Sequence, residues 1–215
     1  VGAQDMTSTA EGFGFNAKPP VDLPNPAESV FPVDFGAVVS RPDGLAPVNE
    51  NAPALAQSSI GQNDVAATPL QMALVAAGIA NDGEVMTPHV LGSVRARDGK
   101  VVQSYEPSVW RTAADPSVAA TMREAMIGVV TDGTATIMQI PGFDVGAKTG
   151  TAQLGTEPAT SHAWMIAFGG PPGGEPTVAV AVVVINVDGS SNATGGRVAG
   201  PVARDVLASA LGVGE

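Results

Sequence analysis

The segment Thr177-Val-Ala-Val-Ala-Val-Val-Val-Ile-Asn186 constrains this chain more than any other. Every position from Val178 to Ile185 is apolar, so the segment lacks the wet face of an alternating strand. A strand of this kind belongs inside a sheet with both faces covered. Left at an edge, it would offer unpaired backbone groups to other chains. Residues 163–168 read as a second strand, joined to it by the glycine- and proline-rich turn 169–174. That supplies one neighbour. Nothing else in the chain reads as the other neighbour, so strands preceding Val1 in a longer protein are expected to complete the sheet.

The rest of the chain supplies helices and loops. Residues 5–11 read as a short helix with Met6, Ala10 and Phe13 on its apolar side and Gly12 as its stop. Between Pro19 and Pro53 lie eight prolines, which pin the backbone in extended and turn conformations. Thr68-Pro69 then starts a helix over 69–81, with Gln71 expected to close a capping box and Asn81-Asp82-Gly83 to end it. Leu70, Leu74, Ala77 and Ile79 are its apolar positions. A peripheral hairpin is expected from strands 89–95 and 101–105 around Asp98-Gly99. Asp115-Pro116 opens another helix, with Val118, Met122, Ala125, Met126 and Val129 expected to face inward. A closing helix is marked by Val198, Val202, Val206 and Leu207.

Composition excludes several classes of function. Ten Lys and Arg stand against 21 Asp and Glu, a net charge of -11 that lacks the basic footprint of a nucleic-acid binder. There are no cysteines, which removes disulfide scaffolds and thiol catalysis. The longest apolar run, Val178 to Ile185, falls far short of the ~20 residues of a membrane helix. The chain begins on Val1 without a leader-like segment, so a processed or truncated piece of a longer protein is expected.

Chemistry concentrates in Lys148-Thr149-Gly150-Thr151. Lys148 is one of three lysines and sits among small residues. Gly150 leaves room for a close approach, and the flanking threonines add hydroxyls. An ammonium with hydroxyls beside it suits a carboxylate, a contact worth roughly 1.5–3 kcal/mol when shielded from water. A solvated edge-strand lysine is the bland alternative. The stretch Gly142–Thr149 nearly spells a phosphate-binding loop, but Ala147 replaces a required glycine, and Gly150, Gly155 and Pro158 forbid the helix that must follow. His89 and His162 are too few to make a metal site and are read as structural. Ser190-Ser191-Asn192 is read as a turn.

Five segments occur together in order: Ser58-Ser59-Ile60-Gly61-Gln62, Thr68-Pro69-Leu70-Gln71-Met72-Ala73, Gly133-Thr134-Ala135, Gly146-Ala147-Lys148-Thr149-Gly150-Thr151-Ala152 and His162-Ala163-Trp164. In that order and spacing the chain resembles the C-terminal half of the penicillin-binding protein transpeptidase domain, most of all the monofunctional (class B) actinobacterial cell-division type. The resemblance covers nearly the whole chain, so residues 1–215 are expected to be the C-terminal part of one transpeptidase domain. The expected fold is α+β, β-lactamase/transpeptidase-like and incomplete. Three antiparallel strands of a larger, five-stranded sheet would pack between helices.

The resemblance further implies a serine-type D,D-transpeptidase that cross-links peptidoglycan stem peptides and is acylated by β-lactams, with no cofactor. The family combines Ser-x-x-Lys, Ser-x-Asn and Lys-Thr-Gly. Only the last is in place here, because no serine in the chain is followed three positions later by lysine. By resemblance, Lys148 holds the substrate carboxylate with Thr149, Gly150 and Thr151, and the Thr151 backbone N–H gives half of an oxyanion hole. Lys148 and Thr151 would be the catalytic residues. The nucleophile would lie in the missing N-terminal half, making this chain inactive alone. The whole protein would be anchored by an N-terminal helix and act outside the cytoplasm. A non-catalytic fragment, serving as a binding surface or complementing a second chain, is the other reading.

Overall fold

A computed structural model describes residues 2–41, 45–188 and 193–213. In chain order the elements are α1 (Ala3–Gly12), β1 (Val38–Val39), β2 (Val48–Asn49), α2 (Ala52–Ser58), α3 (Pro69–Ala80), β3 (Glu84–Met86), β4 (Ser93–Arg95), β5 (Val101–Ser104), β6 (Val109–Thr112) and α4 (Pro116–Thr131). A 3-10 turn (Thr136–Met138), β7 (Asp144–Gln153), β8 (Thr160–Gly170), β9 (Val178–Asp188) and α5 (Gly195–Ala210) follow. The Ser190-Ser191-Asn192 segment lies outside the described residues.

The three long strands form one antiparallel sheet in the order β7-β8-β9. β7 and β8 pair without interruption from Asp144↔Gly170 to Gln153↔Ser161. β9 pairs with β8 alone, and no other strand flanks it among the described residues. Ile185 on β9 is 64% exposed, so a strand built for a sheet interior stands at an edge here. The antiparallel sheet portion between helices is the one the sequence led us to expect.

Each face of the sheet carries a helix layer. Ala76, Ile79 and Ala80 of α3, with Met126 of α4, pack on Ile166 and Phe168. On the other face Ala199, Ala203 and Leu207 of α5 pack on Ala147, Met165, Ala167 and Val180, joined by Val130, Ala135, Met138 and Ile140. α4 contributes to both clusters because it packs against β7 at the edge of the sheet. The buried stripes of α4 and α5 match those expected only in part: Met126 and Leu207 are buried and Val129 packs against the core, as expected. α4 buries Ala119, Met126 and Val130, while Val118 and Met122 are 52% and 44% exposed. α5 buries Gly195, Ala199, Gly200, Ala203 and Leu207, and leaves Val202 and Val206 each 49% exposed. Small residues let the helix axis come close to the sheet, so the alanine stripe packs better than the valine stripe.

The cap of α3 is half as expected. Thr68 Oγ1 accepts from Gln71 N–H at 3.0 Å, but the Gln71 side chain does not return to Thr68. Its Nε2 donates instead to the Phe13 carbonyl at 2.6 Å, which ties α3 to the end of α1. The Thr68 N–H goes to Ser29 Oγ at 3.0 Å. Two features were not anticipated. α2 interrupts the end of the proline-rich excursion, and β3 pairs with β6 across the exposed β4–β5 hairpin.

That hairpin is the expected peripheral ribbon, with Gly99 at φ +85°. Asp22 in the proline-rich excursion clips its base: its carboxylate accepts from Val90 N–H at 2.7 Å and Leu91 N–H at 2.9 Å. The Val90 bond, above all, and the Leu91 bond hold the Asp22 carboxyl below its ordinary value of 3.8. His89 stacks on Tyr105 with ring centroids 3.3 Å apart, a structural role as expected.

Two outcomes test this account. Leu207→Ala should destabilise by about 2–5 kcal/mol, while Val202→Ala should stay within about 0.5 kcal/mol in thermal melts of the full-length protein. The Asp22 clip needs the ionised carboxylate, whose folded pKa is the lower one. The clip should therefore be intact above pH 3.8 and lost as pH falls through the folded value. Protection of the Val90 and Leu91 amides from hydrogen exchange, followed across that range, reads it directly.

Candidate functional site

β7 carries the Lys-Thr-Gly segment on a strand with one open edge. Its first half is walled in: Val145, Gly146 and Ala147 are buried, with α4 alongside. From Lys148 onward the strand is accessible. Gly146 is structural, because a Cβ there would lie 2.3 Å from the Phe168 ring. The phosphate-loop reading fails here, since β7 starts at Asp144 and runs on through Gln153, and the next element is the strand β8 and not a helix.

Strand alternation sorts the site residues. Lys148 and Gly150 register with Ile166 and Trp164 on the α3 face, whereas Thr149 and Thr151 register with Met165 and Ala163 on the α5 face. The ammonium and the two hydroxyls thus leave the strand on opposite sides. The backbone alternates too. Leu154 N–H bonds across to the Thr160 carbonyl, so by the antiparallel pattern the N–H and C=O groups of Thr149 and Thr151 point to the open edge. Lys148 Nζ reaches around to that edge and donates to the Thr149 carbonyl at 2.9 Å. Gln62 Nε2 donates to the Thr151 carbonyl at 3.3 Å. Both outward carbonyls thereby have donors, and the outward Thr149 and Thr151 N–H groups face the cleft.

The first turn of α5 lies on the face of the sheet that carries the Thr149 and Thr151 side chains, over the β7–β8 ladder. Gly195 N–H donates to Thr151 Oγ1 at 3.4 Å. A Cβ on Gly195 would lie 2.2 Å from the Trp164 carbonyl oxygen and 2.5 Å from that of Gly150. The room at Gly150 is therefore used by the protein itself: Trp164 Cβ fills one side and the α5 backbone the other. A helix N-terminus carries partial positive charge, so the cleft beside Thr149 and Thr151 favours an anion. Thr134, in the turn after α4, places its Oγ1 2.9 Å from Thr149 Oγ1. His162 lies away from this chemistry: its Nδ1 accepts from Asn186 N–H at 3.2 Å where β8 and β9 slip register. Among the described residues no cluster of three or more His, Asp or Glu could hold a metal ion, and no helix is long and apolar enough to cross a membrane.

Thr134, Gly195, Gly196 and Gln62 were not anticipated as parts of the site. Gln62 and Thr134 lie in two of the segments that carry the resemblance, and the glycines directly after Thr194 gave a signal of their own, since a helix that starts on two glycines gains nothing in propensity and so needs a steric reason.

Residues 1–208 match the family model described as the penicillin binding protein transpeptidase domain. The chain belongs to this family. Peptidoglycan D,D-transpeptidase PbpA of Mycolicibacterium smegmatis is 39% identical over 216 residues, covering 100% of this chain and 40% of the relative. The PbpA of Mycobacterium tuberculosis is 38% identical, with 98% and 40% covered. Among solved structures, the ceftriaxone acyl-enzyme complex of penicillin-binding protein A from M. tuberculosis superposes with a TM-score of 0.81 at 37% identity. It covers 97% of this chain and 43% of that one. The chain thus has the fold of penicillin-binding protein transpeptidase domains while spanning about 40% of the length of these curated relatives.

In this penicillin-binding protein family member, Gly195→Ala should push α5 off the face of β7 and β8. The expected result is a fall of several degrees in the melting midpoint of the full-length protein, at about 2–4 °C per kcal/mol for a domain of this size. Gly128→Ala, on the exposed side of α4 with open space around it and ordinary helical backbone, should leave the midpoint unchanged or raise it.

Proposed function

We propose that this chain forms the carboxylate-holding half of a peptidoglycan D,D-transpeptidase site, and that the nucleophilic half lies in the N-terminal part of the same domain. The observation that carries the reading is the open β7 edge. It gathers the Lys148 ammonium, the Thr149 and Thr151 hydroxyls, outward N–H groups and the positive end of α5. Such a set suits the terminal carboxylate of a D-Ala-D-Ala stem peptide and, equally, the carboxylate of a β-lactam.

In this reading an upstream serine hydroxyl attacks the carbonyl of the D-Ala-D-Ala amide. The tetrahedral oxyanion is held by the Thr151 N–H and the serine's own N–H. Collapse expels D-alanine, whose amine takes up a proton, and leaves an acyl-enzyme. An amino group of a neighbouring stem then displaces the serine, forming the cross-link and returning the proton. β-Lactams acylate the same serine and keep their leaving amine tethered. Lys148 and Thr149 act only by holding and orienting the carboxylate. The open edge of β9 supports a sheet completed by strands from the N-terminal half, as in a five-stranded transpeptidase sheet. The whole protein would be a membrane-anchored cell-wall enzyme working outside the cytoplasm.

Fluorescent penicillin should label the full-length protein and leave residues 1–215 alone unlabelled. Covalent labelling of this chain by itself would show that the nucleophile has been misplaced. Lys148→Ala in the full-length protein should slow acylation by carboxylate-bearing β-lactams by roughly 10-fold to 100-fold. Unchanged acylation would contradict the carboxylate role.

A further inference from the structure

Thr149 has one hydroxyl proton, and its usefulness to an anion depends on where that proton points. Its oxygen lies 2.9 Å from Thr134 Oγ1, so one of the two hydroxyls donates to the other. If Thr149 donated inward, a carboxylate in the cleft would meet a lone pair. If Thr134 donates, the Thr149 proton is left for the ligand.

We propose that Thr134 is a positioning residue: its hydroxyl donates to Thr149 Oγ1 and turns the Thr149 proton into the cleft. The inference rests on the carboxylate-binding reading of the β7 edge. An anion in the cleft selects this direction, because the chain Thr134 O–H to Thr149 O–H to carboxylate aligns two dipoles that strengthen each other. The neighbouring hydroxyl is treated alike. Gly195 N–H can only donate, so Thr151 Oγ1 accepts from it at 3.4 Å and keeps its own proton free. Each threonine hydroxyl thus has a protein donor behind it.

The placement of Thr134 is built into the fold. Ala135, the next residue, is fully buried, and its N–H bonds to the Val129 carbonyl at 3.1 Å. On the other side the Thr134 carbonyl lies where a Cβ on Gly196 would come within 2.6 Å, so only glycine at 196 lets α5 and this turn meet. A core contact and a helix therefore fix the residue whose hydroxyl is exposed to the cleft. Nothing in the packing requires a hydroxyl there.

The test compares acylation of the full-length protein by a β-lactam acid and by its carboxylate methyl ester. Thr134→Val should slow the acid by about threefold to tenfold, the span of one neutral hydrogen bond, while the ester rate stays the same. Thr134→Ser should restore the acid rate. Adding Thr134→Val to Thr149→Val should cost nothing further, since the two act as one unit. Equal slowing of acid and ester, or no slowing of either, overturns the proposal. Thr149→Val separates it from the reading beneath it. If that variant also fails to distinguish acid from ester, the carboxylate role of the edge falls; if it does distinguish them and Thr134→Val does not, the positioning role alone falls. A melting midpoint for each variant identifies slowing that comes from unfolding.

Discussion

Three backbones meet beside Gly150 with no room for a side chain on the third. Gly195 opens α5 against the Gly150 and Trp164 carbonyls, where a Cβ would sit 2.2–2.5 Å from oxygen. Everything else at the site follows from this approach. It delivers an N–H to Thr151 Oγ1, brings the positive end of a 16-residue helix over β7 beside the threonine hydroxyls, and sets the alanine stripe of α5 onto the sheet. A helix one side chain further away would take the Gly195 N–H from the Thr151 hydroxyl.

Features that depend on neighbours in sequence were legible in it. Thr68-Pro69 and Asp115-Pro116 started helices where they stand, and the Asp98-Gly99 turn made its hairpin. These signals act within a few residues and need no knowledge of what packs where. The apolar strand 178–185 also declared its need for two neighbours, because its lack of polar residues holds in any packing. Features decided by distant partners were hidden. Gln71 has the spacing of a capping box, yet a carbonyl 58 residues away captures its amide. Val202 and Val206 are more apolar than Ala199 and Ala203, yet close helix–sheet contact favours the smaller pair. Apolar periodicity finds a helix but not which stripe of it touches the sheet.

The site divides in the same way. Lys148, Thr149, Gly150 and Thr151 are contiguous, so the motif announces itself. Their sorting onto two faces follows from strand alternation once β7 is recognised. Thr134 and Gly195 stand 15 and 44 residues from their threonine partners. Their relation to those residues exists only in three dimensions.

One consequence of α4 concerns geometry more than chemistry. The helix runs beside β7 and ends at Thr131; the turn that follows drops Thr134 next to Thr149. Residues 145–147 of the strand lie in its shadow, and accessibility begins at Lys148. α4 therefore works as a stop: it supplies Val130 to the core on one face of the sheet and Met126 to the core on the other, so it straddles the buried part of the β7 edge. A helix that touches no ligand sets where along the strand edge a solute can begin to bind.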